Sequence, residues 1–119
     1  MTIPEEATLL RIFLGESDRH DGGLLYEAIV LKARELHLGG ATVLRGIMGY
    51  GRSSRLHTTK VLRLSEDLPI VVEIADAEEK IQAILPWLER VVTGGLITLE
   101  RARVIRYAGR GPKGEAEPV

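Results

Sequence analysis

The side chains best suited to chemistry gather between Gly46 and Asp67. Arg52, Arg55, His57 and Lys60 supply cationic donors that match an anion, and they follow a turn, Gly49-Tyr50-Gly51, whose glycines let the backbone bend or approach a ligand closely. A strand-like run from Thr42 to Met48 breaks at this turn, and a polar stretch from Ser53 to Lys60 follows. Long loops inside small domains are usually functional or disordered. Two readings stand open. Arg55, His57 and Lys60 bind an anion or a protein partner, or the segment is a plain hairpin whose charges are solvated.

Other polar groups carry weaker signals. The loop from Glu16 to Asp21 sets carboxylates beside Arg19 and His20, an arrangement open to a divalent cation, to an ion-pair network at an interface, or simply to Asp21 capping the next helix. His20, His37 and His57 lack close zinc-ligand spacing, so no metal site is expected. Ser53 and Ser54 have basic neighbours and no orienting acid. No catalytic residue is expected, and the chain is not expected to be an enzyme.

The totals bound the partners. The 119 residues, 45% hydrophobic, suffice for one core and leave no room for a second domain. A net charge of -1 gives no whole-chain footprint for nucleic acid or for a polybasic membrane contact. There is no cysteine, which excludes disulfides, thiolate nucleophiles and sulfur-ligated metal. Residues 1–6 lack a basic, apolar leader pattern and no apolar run reaches membrane-spanning length, so a cytoplasmic protein without membrane insertion is the expectation. Arginine outnumbers lysine and asparagine is absent, a bias fitting a GC-rich genome or a thermophile.

The elements that must position the arm-like loop follow from periodicity. Leu10, Ile12 and Leu14 alternate as a strand, and Leu25, Ile29, Ala33 and Leu36 recur at helical spacing until Gly39-Gly40. Ile70 to Ala75 is a β-branched run typical of a central strand. Asp76 and Glu79 read as a capping box for a second helix, whose stripe of Ile81, Ile84, Leu85, Leu88, Val91 and Val92 continues past a bend expected at Pro86. Trp87 falls beside that stripe, where it covers a subunit contact or shields the helix flank. In the last strand, Ile97 to Tyr107, Ala102 and Val104 have the opposite parity to Ile97 and Leu99, and a bulge near Glu100-Arg101 would reconcile them. Residues 1–108 read as one domain and 109–119 as a mobile tail.

Two βαβ halves predict an α+β, ferredoxin-like βαββαβ sandwich with a four-stranded antiparallel sheet. Both helices then cover one face. Apolar residues of both parities in the strands predict that the other face is buried as well, most economically by further copies of the chain.

Several segments carry a resemblance: Gly15-Glu16-Ser17-Asp18-Arg19-His20, the run from Gly40 to Gly51, the step from His57-Thr58 to Lys60, and Leu64-Ser65-Glu66-Asp67-Leu68-Pro69. Together, from about Leu9 to Tyr107, they resemble the PII-like proteins long catalogued as a family of unknown function, which are similar to the nitrogen-regulatory PII signal transducers. The resemblance implies a homotrimer whose intersubunit clefts take an adenine nucleotide or another small anion, framed by the base of a long loop, a second loop after helix two and C-terminal basic residues. It implies that the long loop docks a membrane transporter or an enzyme, with no cofactor required and no nucleic acid as partner. Gly49-Tyr50-Gly51-Arg52 resembles the Gly-Phe-Gly-Arg that opens this loop in PII, and Thr93-Gly94 resembles the opening of the second loop. The Gly-Asp-Gly-Lys segment expected next is replaced by Leu96-Ile97-Thr98-Leu99-Glu100, which removes the lysine that meets phosphate in PII. Arg101, Arg103 and Arg106 are the basic residues near the end. The alternative is a constitutive interaction subunit with no ligand.

Overall fold

Alternation of buried and half-buried residues marks the two central strands of the sheet, unbroken from Leu9 to Gly15 and from Pro69 to Asp76. The computed structural model describes residues 2–52, 56–58, 67–110 and 116–117. In chain order the main elements are β1 (Glu6–Gly15), α1 (Leu25–Glu35), β2 (Thr42–Arg45), β3 (Pro69–Asp76), α2 (Glu78–Val91) and β4 (Leu96–Arg103). The sheet order is β2-β3-β1-β4, with every pair antiparallel. This is the expected ferredoxin-like sandwich.

One face of the sheet holds the core. Leu10 and Ile12 of β1 and Val72 and Ile74 of β3 pack against Ile29 of α1 and against Ile81, Ile84 and Leu88 of α2, all essentially without solvent contact. Each such side chain contributes about 1.5–3 kcal/mol before ordering entropy is subtracted. The second helix runs through Pro86 without interruption. The Trp87 ring meets His20 edge-on at 5.7 Å between centroids, and the Lys32 ammonium lies 5.8 Å from it.

No helix among the described residues covers the opposite face, and register aligns its side chains in rows. Leu44, Val71, Phe13 and Leu96 are cross-strand partners in sequence, one from each strand, and form an apolar row across the full width of the sheet. Leu44 and Leu96, at its two ends, are 47% and 54% exposed.

Four local expectations are corrected. The run from Thr42 to Met48 does not stay in the sheet: β2 ends at Arg45, the Gly46 amide donates to the Pro69 carbonyl at 2.7 Å, and Pro69 has no amide with which to extend the ladder. Helix α1 stops before Gly39-Gly40, because His37 adopts the left-handed conformation (φ 59°). His37 N donates to Arg34 O and Leu38 N to Ala33 O, closing a Schellman motif with the buried Leu38 as its apolar contact. No bulge interrupts β4, whose pairing with β1 is continuous from Glu6 opposite Arg103 to Phe13 opposite Leu96. The parity change reflects two faces that each carry apolar residues, with Ala102 opposite Ala7 on the uncovered side. Asp76 makes no side-chain cap for α2, which starts after Ala77.

Asp76 instead closes the end of the sheet farthest from the arm. It is fully buried on the core face; Oδ2 accepts from Gly39 N at 2.8 Å and Oδ1 from Ala77 N at 2.7 Å. The Tyr107 hydroxyl donates to Gly39 O, and Val104 N donates to Glu5 O at 2.8 Å. Both backbone groups of Gly39 are thereby satisfied by side chains. Beyond this clamp, in the segment expected to be a tail, Gly109–Arg110 pairs with Ala116–Glu117.

Burial, and then the charge of Asp76, push the Tyr107 hydroxyl above its ordinary value of 10.0. The folded chain therefore keeps this proton to higher pH than the unfolded chain, which makes the contribution full below pH 10 and lost as pH rises above it. Urea unfolding of wild type and Tyr107→Phe at pH 8 and above pH 10 checks this. The substitution is expected to cost about 1 kcal/mol at pH 8 for the lost hydrogen bond, and that difference should shrink as pH passes 10.

Candidate functional site

The arm leaves the sheet where a glycine allows the chain to turn under a proline. A Cβ on Gly46 would lie 2.8 Å from Pro69 Cγ, and one on Gly49 would lie 3.1 Å from the same atom, so the arm base rides on the Pro69 ring. Met48–Gly49 then pairs with His57–Thr58 as a two-residue antiparallel ribbon. Thr58 is buried, while Ile47, Tyr50 and Leu56 are exposed. Gly51 and Arg52 are also exposed.

The return of the arm to β3 is fixed by the loop after β1. Ser17 N donates to Asp67 Oδ1 at 2.7 Å and Glu16 N to Leu68 O at 2.8 Å. Asp18 accepts from Gly15 N at 3.0 Å, and Arg45, at the end of β2, forms a two-point pair with Glu16 at 2.8 and 3.2 Å. Glu16 through Arg45, and Asp67 through Ser17 N, thus tie the arm base to this loop within one chain. Asp21, expected as a helix cap, has φ 49° and an exposed side chain 3.5 Å from His20, and α1 has no side-chain cap.

Of the residues that the sequence assigned to ligand binding, the structure brings some together and separates others. Gly49, Tyr50, Gly51 and Arg52 lie at the arm end of the sheet beside its β2 edge. Thr93 and Gly94, between α2 and β4, lie at the same end beside the β4 edge and are exposed. Gly95 anchors that turn, since a Cβ there would overlap the Phe13 carbonyl oxygen of β1. Three strand spacings, roughly 14 Å at about 4.8 Å each, separate the two groups, so a single chain does not form one pocket from both. Arg101, Arg103 and Arg106 lie toward the opposite, Gly39 end, where Arg103 pairs with Glu5 at 3.0 Å. His57 enters the structure by its backbone strand alone, and Arg55 and Lys60 lie outside the described residues.

The segment that departs from the PII pattern, Leu96 to Glu100, is the first part of β4 and is paired along its length with β1. Sequence reasoning missed the Glu16–Arg45 pair. The signal available for it was the fixed distance of each residue from its own strand end.

These features sit in a recognisable lineage. The model of the family DUF190, described as "Uncharacterized ACR, COG1993", matches residues 7–104. The chain belongs to that family. It is 43% identical over 97 residues to a UPF0166 protein of Aquifex aeolicus (strain VF5), a match spanning 82% of this chain and 91% of the relative. It is 36% identical over 102 residues to the UPF0166 protein MJ1524 of Methanocaldococcus jannaschii, spanning 85% and 94%. Among solved structures it is similar to CPII, a nitrogen regulatory PII-like protein from Thiomonas intermedia K12 bound to ADP, AMP and bicarbonate, with a TM-score of 0.59 at 19% identity over 85% of this chain and 90% of that one. CPII bound to ADP and bicarbonate gives a TM-score of 0.53 at 18% identity. The shared fold is PII-like. No helix among the described residues is long and apolar enough to cross a membrane.

The seat of the arm on Pro69 is testable by a double-mutant cycle. Gly46→Ala should destabilise the chain by about 1–3 kcal/mol in urea unfolding, because its methyl group meets the proline ring. Adding Pro69→Ala, which removes Cγ, should recover much of that loss; a double variant as unstable as the sum of the singles would refute the contact.

Proposed function

We propose that the chain is one subunit of a trimeric, non-catalytic, PII-like regulatory protein. An adenine nucleotide or another small anion would bind between subunits at the arm end, and the arm would dock a protein partner such as a membrane transporter or an enzyme. The observation that carries this is the placement of the two ligand groups at one end of the sheet but on its opposite edges. The β2 edge of one copy against the β4 edge of the next would bring Gly49 to Arg52 face to face with Thr93 and Gly94.

Exposed apolar side chains support such a contact. Apart from Leu31 on α1, those among the described residues fall into two sets, with Leu44, Ile47, Met48, Tyr50 and Leu56 toward the β2 edge and the arm, and Leu96, Leu99 and Ile105 toward β4. Two different patches on opposite edges suit a heterologous contact, which closes into a ring when the rotation permits. The ADP and AMP held by the structurally similar CPII make an adenine nucleotide the first effector to test.

The chemistry available is binding. Backbone amides of the glycine turn and the exposed Arg52 guanidinium offer charge-assisted donors to a phosphate, while the lysine of the PII second loop is missing here. An effector that binds one arm conformation more tightly than another shifts the population toward it, and a partner that recognises that conformation reads the signal.

Titration calorimetry with ATP, ADP, AMP and cyclic AMP tests the effector, and light scattering tests the assembly. At least one nucleotide should give heat, Arg52→Ala should weaken it at least about tenfold, equivalent to about 1.4 kcal/mol, and the mass should be three times 13.1 kDa. A trimer silent to the whole panel would leave the constitutive interaction subunit as the function.

A further inference from the structure

The middle of the uncovered sheet face carries charges where an interface core is ordinarily apolar. Arg11 Nε donates to Glu73 Oε2 at 2.8 Å, and Arg11 Nη1 donates to Glu100 Oε1. Register places Thr42, Glu73, Arg11 and Thr98 in one row beside the apolar row, and Glu100 opposite Leu9 in the next. The three charged side chains are 36%, 30% and 53% exposed. One guanidinium against two carboxylates leaves the cluster one negative charge in excess. Arg11 retains donors beyond the two in use, and each carboxylate retains acceptor sites.

The chemistry of the face selects its occupant. Surplus negative charge disfavours nucleic acid and anionic lipid headgroups. A wholly apolar partner would take the paired triad out of water with its surplus carboxylate charge uncompensated. A second copy of this chain brings an apolar row for the apolar row and an Arg11 for the surplus carboxylate. The size is of the right order: three strands with eight paired residues and a fourth with four, at about 4.8 Å by 3.3 Å per residue, give roughly 440 Å² in projection, against the roughly 800 Å² of accessible area that each side of a specific interface buries.

We infer that Arg11, Glu73 and Glu100 form the matching code of the assembly: the spare donors of Arg11 take a carboxylate of the adjacent copy, and the interlocked triads fix the register of the packed faces. The inference takes the self-assembly proposed above as given and adds what makes it selective. Apolar rows alone leave register loose, since one leucine packs on a phenylalanine much as another does. Buried charge pairs add little net stability but discriminate strongly among partners and registers.

Native mass spectrometry of two variants, alone and mixed, tests it. Arg11→Glu makes the cluster wholly acidic, and Glu100→Lys, at the most exposed of the three positions, turns its surplus positive. Each alone should associate at least about tenfold more weakly than wild type at low ionic strength, with the deficit shrinking in salt, and an equimolar mixture should recover oligomers enriched in mixed species over random mixing. Variants that assemble alone as well as wild type overturn the inference, as do weakened variants that mixing fails to rescue. Circular dichroism separates unfolding from dissociation, and if Arg11→Glu does not fold, Arg11→Gln takes its place with the same expected direction. A wild-type chain that stays single overturns the assembly itself, a result distinguishable from either of these.

Discussion

A sheet has two faces, and in this chain the residues of both are built for burial while α1 and α2 cover one. The alternation that puts Leu10, Ile12, Val72 and Ile74 into the core also puts Phe13, Val71, Leu44 and Leu96 in line on the other side. At about 25 cal/mol per Å² of apolar surface, leaving that row in water forfeits several kcal/mol, a sizeable part of the stability of a domain this small. The same constraint governs the site. The strand order that creates the open face also sends the arm base to one edge and the Thr93-Gly94 turn to the other, so in the proposed assembly covering the face and completing the ligand groups would be one geometric event.

The ends of the sheet divide the work. At the Gly39 end, Asp76 and Tyr107 satisfy a turn backbone that would otherwise be buried without partners, and the basic residues Arg101, Arg103 and Arg106 gather nearby. At the arm end, Pro69 and the Glu16–Arg45 pair hold a glycine-rich exit rigidly at its base. An anchored base with an exposed Tyr50, Gly51 and Arg52 beyond it would suit the proposed site, which must be preformed yet read by what lies further out. With β4 at the place of the PII lysine segment, the proposed anion site would draw its positive charge from the arm.

Much of this was legible in the sequence, because periodicity reports which side chains share a face. The βαββαβ order, the core stripe of α2 and the apolar residues on the second face all follow from it. What escaped was set by contacts distant in sequence. Asp76 with Glu79 has the spacing of a capping box, yet β3 runs to within one residue of α2, and the parity of Asp76 turns its carboxylate inward to Gly39. Likewise Gly39-Gly40 reads as the helix stop, while the turn is closed earlier by His37, whose left-handed backbone no simple pattern announces. The exit of the chain at Gly46 depended on Pro69, which lies on the neighbouring strand and 23 positions away in the sequence. For the ligand site the sequence gathered Gly49 to Arg52 with Thr93 and Gly94 by resemblance alone; their separation across four strands is a fact of topology.

The claim that sister copies cover the open face can be read from thiol reactivity, since the chain has no cysteine of its own. Leu96→Cys reports on that face, and Leu31→Cys, at an α1 position that is 61% exposed, serves as the reference. At micromolar concentration the thiol at position 96 should react many times more slowly than that at position 31, and the gap should close on dilution as the copies separate. Equal rates for the two thiols at every concentration would contradict the account.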